Sequence, residues 1–348
     1  MGDGTAGLYY ALVAGSHPTL PHAELRGILD AEAGYWRLLA LHTQLVIFEA
    51  SGVTPQRIIA RAGFVEEVGT LLAYTEASPE SIREALRRLE PLPGVYRVEF
   101  RRIRGFASNL YTDDRRALRE FIAVLEARGW RLSPRGNKTL RIIIDEGVAA
   151  IGVMGARLRV SELKDRWPHR RPFYKPGALD PRMARLFVNL SRARRGSSFL
   201  DPFCGTGGFV IEALLSAGVR EAICGDADED MAEGSRVNLS HYAPSRLWHA
   251  LRWDAPRLPL RDGTVDSIGS DAPYGRMTTT LGRRVEEVIG GALVEASRVL
   301  RRGGFVALAC PHWVDCPGLA RGAGLEILEV HYMRVHGSLT RVIIVARR

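Results

Sequence analysis

Two rhythms of apolar and polar positions divide the chain. In its first part, GLYYALVAG and LVIFEA are apolar runs of strand length, and His22 to Ala33 carries apolar residues at helical spacing after a proline start. These predict a small α/β unit. Further on, Ser78-Pro79-Glu80 opens a helix running to about Leu89, VYRVEFRRI alternates as a half-buried strand should, and Asp113 to Arg128 is amphipathic at helical period. Lys138 to Asp145 and Val148 to Met154 read as two strands joined by a turn at Glu146-Gly147. A polar connector bearing Arg and Pro follows from Ser161 to Pro176. Beyond it strands and helices strictly alternate, with strands near 197–201, 222–226, 248–253, 265–271 and 304–310 and helices near 208–217, 229–240 and 283–300. LEILEVHYMRV and LTRVIIVAR, separated by His336-Gly337-Ser338, predict a closing hairpin on a mainly parallel sheet. The expected fold class is α/β, with a doubly wound C-terminal sheet behind smaller α/β domains. Its boundaries are drawn at 1–66 for an N-terminal α/β unit, 67–160 for a second domain, 161–176 for the connector and 177–348 for the doubly wound domain.

The length of 348 residues exceeds one comfortable core, and 46% hydrophobic with 25% charged residues is an ordinary soluble composition. No apolar stretch approaches a membrane span, and the start MGDGTAGLYYALVAG lacks the basic region of a signal peptide, so a cytoplasmic location without membrane is expected. Cysteines 204, 224, 310 and 316 show neither a CxxC pair nor an obvious pairing, which predicts reduced, buried thiols and no metal site. Charge is unevenly distributed. Residues 157 to 195 hold twelve Arg or Lys against three Asp or Glu, a net of +9 that equals the net charge of the whole chain. Such a concentration is the footprint of a polyanion-binding surface, and nucleic acid is the expected partner.

The candidate chemistry sits after the strands of the second rhythm. Asp201-Pro202-Phe203-Cys204-Gly205-Thr206-Gly207-Gly208 follows the first of them, and its glycines let backbone pass close to a bulky ligand. A Gly-rich turn of this kind alone could equally serve a dinucleotide, but the long GxGxxG pattern and the GKS or GKT of a phosphate loop are both missing. Asp226, followed by Ala227, ends the second strand where a carboxylate accepts from both hydroxyls of a ribose, with a helix N-terminal charge as the rival role. Asp254, followed by Ala255, ends the third strand, placed for an adenine amino group or for capping. After the fourth strand comes Asp271-Ala272-Pro273-Tyr274. An exocyclic amine on a nucleobase is a poor nucleophile because its lone pair is delocalised into the ring. The Asp271 carboxylate and the Ala272 carbonyl can hold its two N–H groups and turn the lone pair outward, while Tyr274 offers a face on which a base stacks. Together the two loops imply methyl transfer from S-adenosylmethionine to an exocyclic amine of a base drawn out of its own stack.

On these residues the chain resembles the archaeal tRNA (guanine-N2) dimethyltransferases that act on G10. The likeness is carried by Arg171 to Arg185, Asp201 to Gly208 with Ile211-Glu212-Ala213, Gly225-Asp226 with Asn238-Leu239, Asp271 to Arg276 and Val335 to Arg341. A looser likeness over 60 to 160, in VEFRRIRG and the strands from Lys138 to Leu158, is to the THUMP RNA-binding domain. The resemblance implies a class I, Rossmann-type methyltransferase domain at 177–348, a THUMP domain at 67–160, S-adenosylmethionine as donor and methylation of N2 of G10 in tRNA once or twice. It assigns Asp201 to Gly208, Asp226, Ala227, Asp254 and Ala255 to the donor and Asp271 to Tyr274 to catalysis. The family's usual motif is Asp-Pro-Pro-Tyr, and Ala272 departs from it while keeping the carbonyl that the chemistry uses. Pro273 biases Ala272 toward extended geometry, so only a loosening on the order of 0.4–1 kcal/mol is expected.

For RNA contact the expected residues are Arg101, Arg102, Arg104, Asn137, Lys138, Arg170, Arg171 and Lys175. Two rival readings stay open. One is the same chemistry on another nucleic acid, such as tRNA position 6, an rRNA guanine or an amine of DNA adenine or cytosine; the other is a non-catalytic RNA-binding protein. A small activating subunit is also open, with a monomer expected otherwise.

Overall fold

A computed structural model describes residues 6–106, 111, 113–275 and 281–348. The chain divides into two compact units, one holding residues 1–22, 32–60 and 65–158, the other 23–31, 61–64 and 159–348.

The first unit is built on β1 (Gly7–Val13), α1 (Leu20–Glu32), β2 (Tyr35–Leu41), β3 (Leu45–Ser51), α2 (Pro55–Arg61), β4 (Val65–Glu76), α3 (Pro79–Arg88), β5 (Tyr96–Arg102), α4 (Asp114–Ala127), β6 (Lys138–Asp145) and β7 (Val148–Arg157), with α1 and α2 each passing partly into the second unit. Its seven strands form one sheet in the order β2-β3-β1-β4-β7-β6-β5. The boundary expected between 66 and 67 therefore falls inside a strand. β4 pairs antiparallel with β1 on one side and with β7 on the other, so the expected front domains share a single hydrogen-bonded sheet. The pattern did not announce β4 because its Gly69 and paired glutamates interrupt the alternation. β6 is buried on both faces. Ile142 and Ile144 meet Leu86 of α3 and Phe121 and Leu125 of α4 in one cluster, whereas Ile143 meets Tyr10, Leu12 and Ile47 in another. Asp113 caps α4 by accepting from the amides of Arg115 and Arg116, and Ser78 caps α3 through the amide of Ser81.

The second unit contains α5 (Pro181–Leu190), β8 (Ser198–Asp201), α6 (Gly208–Glu212), β9 (Glu221–Asp226), α7 (Glu229–Tyr242), β10 (Leu247–Arg252), β11 (Val265–Asp271), α8 (Val285–Val299), β12 (Leu300–Pro311), α9 (Cys316–Gly322), β13 (Glu326–His336) and β14 (Leu339–Arg347). Its sheet runs β10-β9-β8-β11-β12-β14-β13, parallel throughout except for β14, which is antiparallel to both β12 and β13. Chain order reverses at β8, between β9 and β11, and this is the switch point where an open α/β sheet forms its ligand crevice. Alternation along each strand sends Leu200, Ile268, Leu308 and Ile344 into a core with Ile289 and Leu293 of α8. The helix expected over 208–217 is α6 continued by a π-helical turn at 213–217. Cys310 and Cys316 are joined in a disulfide, which corrects the expectation of four reduced thiols; the end of β12 and the start of α9 bring their Cα atoms within 6.4 Å. Cys204 and Cys224 are free and buried.

Candidate active site

The carboxyl edge of the second sheet gathers acids from strands far apart in sequence. β8, β9 and β11 each end on an aspartate, Asp201, Asp226 and Asp271, and Asp254 stands two residues past β10. Parallel pairing aligns these ends: Asp201 lies opposite Cys224 in the β8–β9 ladder, and Asp271 opposite Ala309 in the β11–β12 ladder.

Asp201 is 1% exposed. Its Oδ1 accepts from the Ser270 hydroxyl at 2.5 Å and from the Phe203 amide at 3.2 Å, so it ties the glycine turn to the strand that ends in Asp271. Burial, added to by the neighbouring charges of Asp226 and Asp271, pushes its carboxyl up to about 7. Asp226 reaches across to the turn itself, accepting from the Gly205 amide at 2.9 Å on Oδ2 and from the Asp228 amide at 3.0 Å on Oδ1. The rival capping role belongs to Asp228, which accepts from the Asp230 amide at the start of α7. Gly205 has φ +48, and a Cβ there would meet nothing within 4 Å, so open space lies beside the turn where a bulky donor needs it. A Cβ on Gly208 would lie 3.0 Å from Arg171 Nη1, a close approach that only glycine permits without displacing that side chain. Pro202, Cys204, Thr206 and Gly207 are buried, and Phe203 is half-buried.

Arg171 is buried. It was expected to touch RNA, but it is 6% exposed and its donors go to Thr206 Oγ1 at 3.0 Å, the Leu179 carbonyl at 3.1 Å and the Arg166 carbonyl at 3.0 Å. It braces the glycine turn through Thr206. Asn238 does similar work from α7, donating to the carbonyls of Thr206 and Phe173 at 2.9 Å each. Asp254 is likewise engaged: Arg283 Nη1 donates to its Oδ2 at 3.0 Å and Arg283 Nη2 to its Oδ1, and the side chain caps no helix. Ala255 is buried beside it, and the Ala227 carbonyl accepts from Arg252 Nε at 3.4 Å.

At Asp271 the structure adds a partner that was not foreseen. The Tyr274 hydroxyl donates to Asp271 Oδ1, Arg341 Nη2 donates to Asp271 Oδ2 at 3.1 Å, and Arg341 Nε donates to the Tyr274 hydroxyl at 2.9 Å. Burial raises the Asp271 carboxyl, and the Arg341 guanidinium pulls it back down. The same guanidinium stands 5.6 Å from the centroid of the Tyr274 ring, so a base can stack only on the ring face it leaves open. Ala272 and Pro273 are buried, with the Ala272 amide bonded to the Ala309 carbonyl at 2.9 Å. Arg276, expected as part of this motif, lies outside the described residues. The one available signal for Arg341 was a cation inside the apolar run LTRVIIVAR. It reaches the site because β14 is antiparallel and so begins at the edge where the parallel strands end.

The expected RNA residues do not form one group. Within the first unit Lys138 pairs with Tyr96 and Arg102's partner is Ile144, so Asn137 and Lys138 lie about 20 Å along β5 and β6 from Arg101 and Arg102. Arg102 is held by Asp114 at 2.7 Å, Arg104 donates to the Gly15 carbonyl at 3.2 Å, and Lys138 donates to the Pro93 carbonyl at 2.6 Å. Arg101 stands 4.0 Å from Glu66. In the second unit Arg170 is exposed, and Lys175 lies 3.7 Å from Asp230.

The family described as RMKL-like, methyltransferase domain, matches residues 168–343. The tRNA (guanine(10)-N2)-dimethyltransferase of Methanothermobacter thermautotrophicus is 33% identical over 340 residues, which span 97% of this chain and 98% of that protein. Its namesake from Pyrococcus abyssi is 29% identical over 340 residues, 96% of this chain and 98% of its own. Among solved structures, TrmN from Thermus thermophilus aligns over 98% of this chain and 100% of its own with a TM-score of 0.53 at 24% identity, a likeness of fold. A similarity that runs the length of both proteins, with the matched region spanning the whole acidic edge of the second sheet, shows that the chain belongs to the RMKL-like methyltransferases, in the branch of the archaeal tRNA (guanine(10)-N2)-dimethyltransferases.

Proposed function

We propose that this chain methylates the exocyclic N2 of guanine 10 in tRNA, with S-adenosylmethionine as donor and N2,N2-dimethylguanosine as end product. When bound, the donor supplies an electrophilic methyl carbon and a thioether leaving group. Asp226, Asp254 and the open turn at Gly205 are suited to hold it, and the acids on this edge favour a ligand bearing a positive sulfonium. Asp271 accepts one N–H of the amine, and the Ala272 carbonyl accepts the other. Asp271 then meets the positive charge that grows on nitrogen and receives its proton. Catalysis is chiefly alignment, which a mostly buried carboxylate fixed by Tyr274 and Arg341 supplies in advance. The observation that carries this reading is the meeting of the glycine turn and the Asp271 loop through the Ser270–Asp201 hydrogen bond across the switch point.

The first unit is read as a THUMP-containing RNA-binding part, with Arg101, Arg102, Arg104, Asn137 and Lys138 contacting tRNA together with Arg170 and Lys175 of the second. No described helix is long and apolar enough to cross a membrane. The proposed setting is the cytoplasm, with the chain acting as a monomer. Nucleosides from unmodified tRNA incubated with the protein and labelled donor should contain N2-methylated guanosine, located by mass spectrometry at position 10. Asp271→Ala should lower the single-turnover rate by roughly 100- to 1000-fold with little change in donor binding; an unchanged rate would remove Asp271 from the chemistry.

A further inference from the structure

The Asp271–Arg341 pair offers more than charge balance. Arg341 is 8% exposed, and it spends Nε on the Tyr274 hydroxyl and one hydrogen of Nη2 on Asp271 Oδ2. Nη1 has no partner among the described residues. Each carboxylate oxygen of Asp271 keeps a second lone pair after accepting from Tyr274 or Arg341. The pair therefore presents two acceptors and, next to Oδ2, guanidinium hydrogens that no described residue accepts. That order, acceptor, acceptor, donor, is the one cytosine shows to guanine in a duplex, and it complements the N2–H, N1–H and O6 groups of guanine. Adenine and cytosine each set a ring-nitrogen acceptor beside their amine, which would face Oδ2 across a repulsive contact.

We propose that Arg341 is a specificity-determining residue that donates to O6 of the target guanine while Asp271 accepts from its N1–H and N2–H groups. The assignment rests on the guanine reading above and names the side chain that enforces it. It also gives the antiparallel strand a part in substrate choice, because the start of β14 brings Arg341 to Asp271 at this edge.

The test compares tRNA carrying guanine at the target position with tRNA carrying 6-thioguanine there, which keeps N1–H and N2 and replaces the oxygen with a weak acceptor. The protein is expected to prefer guanine by roughly 10- to 100-fold in kcat/KM. In Arg341→Met the rate on guanine should fall by a similar factor and the preference should collapse toward one, while Arg341→Lys, with a single ammonium donor, should fall between. A purely structural role would lower both rates and leave their ratio intact, and that result overturns the proposal. Should the Met variant fail to fold, as judged by thermal unfolding, the preference of the unaltered protein and the ratio for the Lys variant decide. Methylation of guanine N2 at another position would refute the G10 reading and leave this inference standing. Transfer to an adenine or cytosine amine, or no transfer to RNA at all, would refute both.

Discussion

Asp201 shows how a single residue couples the site to pH. Its carboxyl, pushed up to about 7 by burial, has an ordinary value of 3.8 in the unfolded chain. Between those values the folded protein keeps a proton that the unfolded chain has released, so this carboxyl's contribution to stability is greatest below about pH 4, falls as pH rises toward 7 and is level above. Asp201→Asn removes that slope. Relative to the unaltered protein, the variant should be equally stable at pH 4 and gain on the order of 4 kcal/mol by pH 8, read from urea midpoints across the range; a gain that shrinks with rising pH would reverse the sign argued here. Which residues matter was legible only where chemistry forces local pattern. The glycine turn and Asp271 to Tyr274 announce themselves because backbone clearance and paired acceptors require those types in sequence. Ser270, Arg283 and Arg341 act on acids 69, 29 and 70 residues away, so no local pattern names those partners.

The basic segment makes the same point for whole elements. The stretch from 157 to 195 was expected to face a polyanion, yet much of its charge is spent internally. Arg166 and Arg185 both pair with Glu212 of α6, at 2.6 and 2.9 Å, and Glu212 is 1% exposed. Arg192 bridges Asp30 and Glu329, and Arg182 donates to the Gly63 carbonyl. Arg157, Arg159, Lys164, Arg170, Arg194 and Arg195 stay exposed. A charge count along the sequence cannot distinguish the two sets, because the acids that neutralise the first come from other elements. Removing the hub should be costly. Glu212→Leu leaves two buried or half-buried guanidiniums uncompensated, and a loss of about 3–5 kcal/mol is expected, measurable by chemical denaturation. A loss below 1 kcal/mol would mean that water or other acids replace Glu212.

At the scale of the whole molecule, the second unit is not the last half of the chain alone. Glu24 accepts from the amides of Gly63 and Phe64 and from Asn189 Nδ2, Arg61 donates to Asn189 Oδ1 and the Ala193 carbonyl, and Arg185 donates to the Ala62 carbonyl. Residues 23–31 and 61–64 are thus part of the packing around α5. A fragment of residues 177–348, the domain that periodicity alone would cut, should therefore fold poorly, because Asn189, Arg185 and Glu212 lose buried partners. Weak near-ultraviolet circular dichroism and dye binding by the fragment are expected, against a cooperative transition for the full chain. A fragment that melts as sharply as the full chain would show those segments to be dispensable.

On its own the sequence specified the alternation of strands and helices after the connector, the closing hairpin and the loops that carry the chemistry. All of these follow from short-range periodicity and from backbone needs met by neighbours in the chain. Tertiary structure alone decided that β4 fuses the two front segments into one sheet, that Arg171 turns inward against the glycine turn, and that Arg341 meets Asp271. Each of these depends on which strand lies beside which. A buried charge or a strand edge is satisfied by whatever partner the folded chain brings near, however distant in sequence.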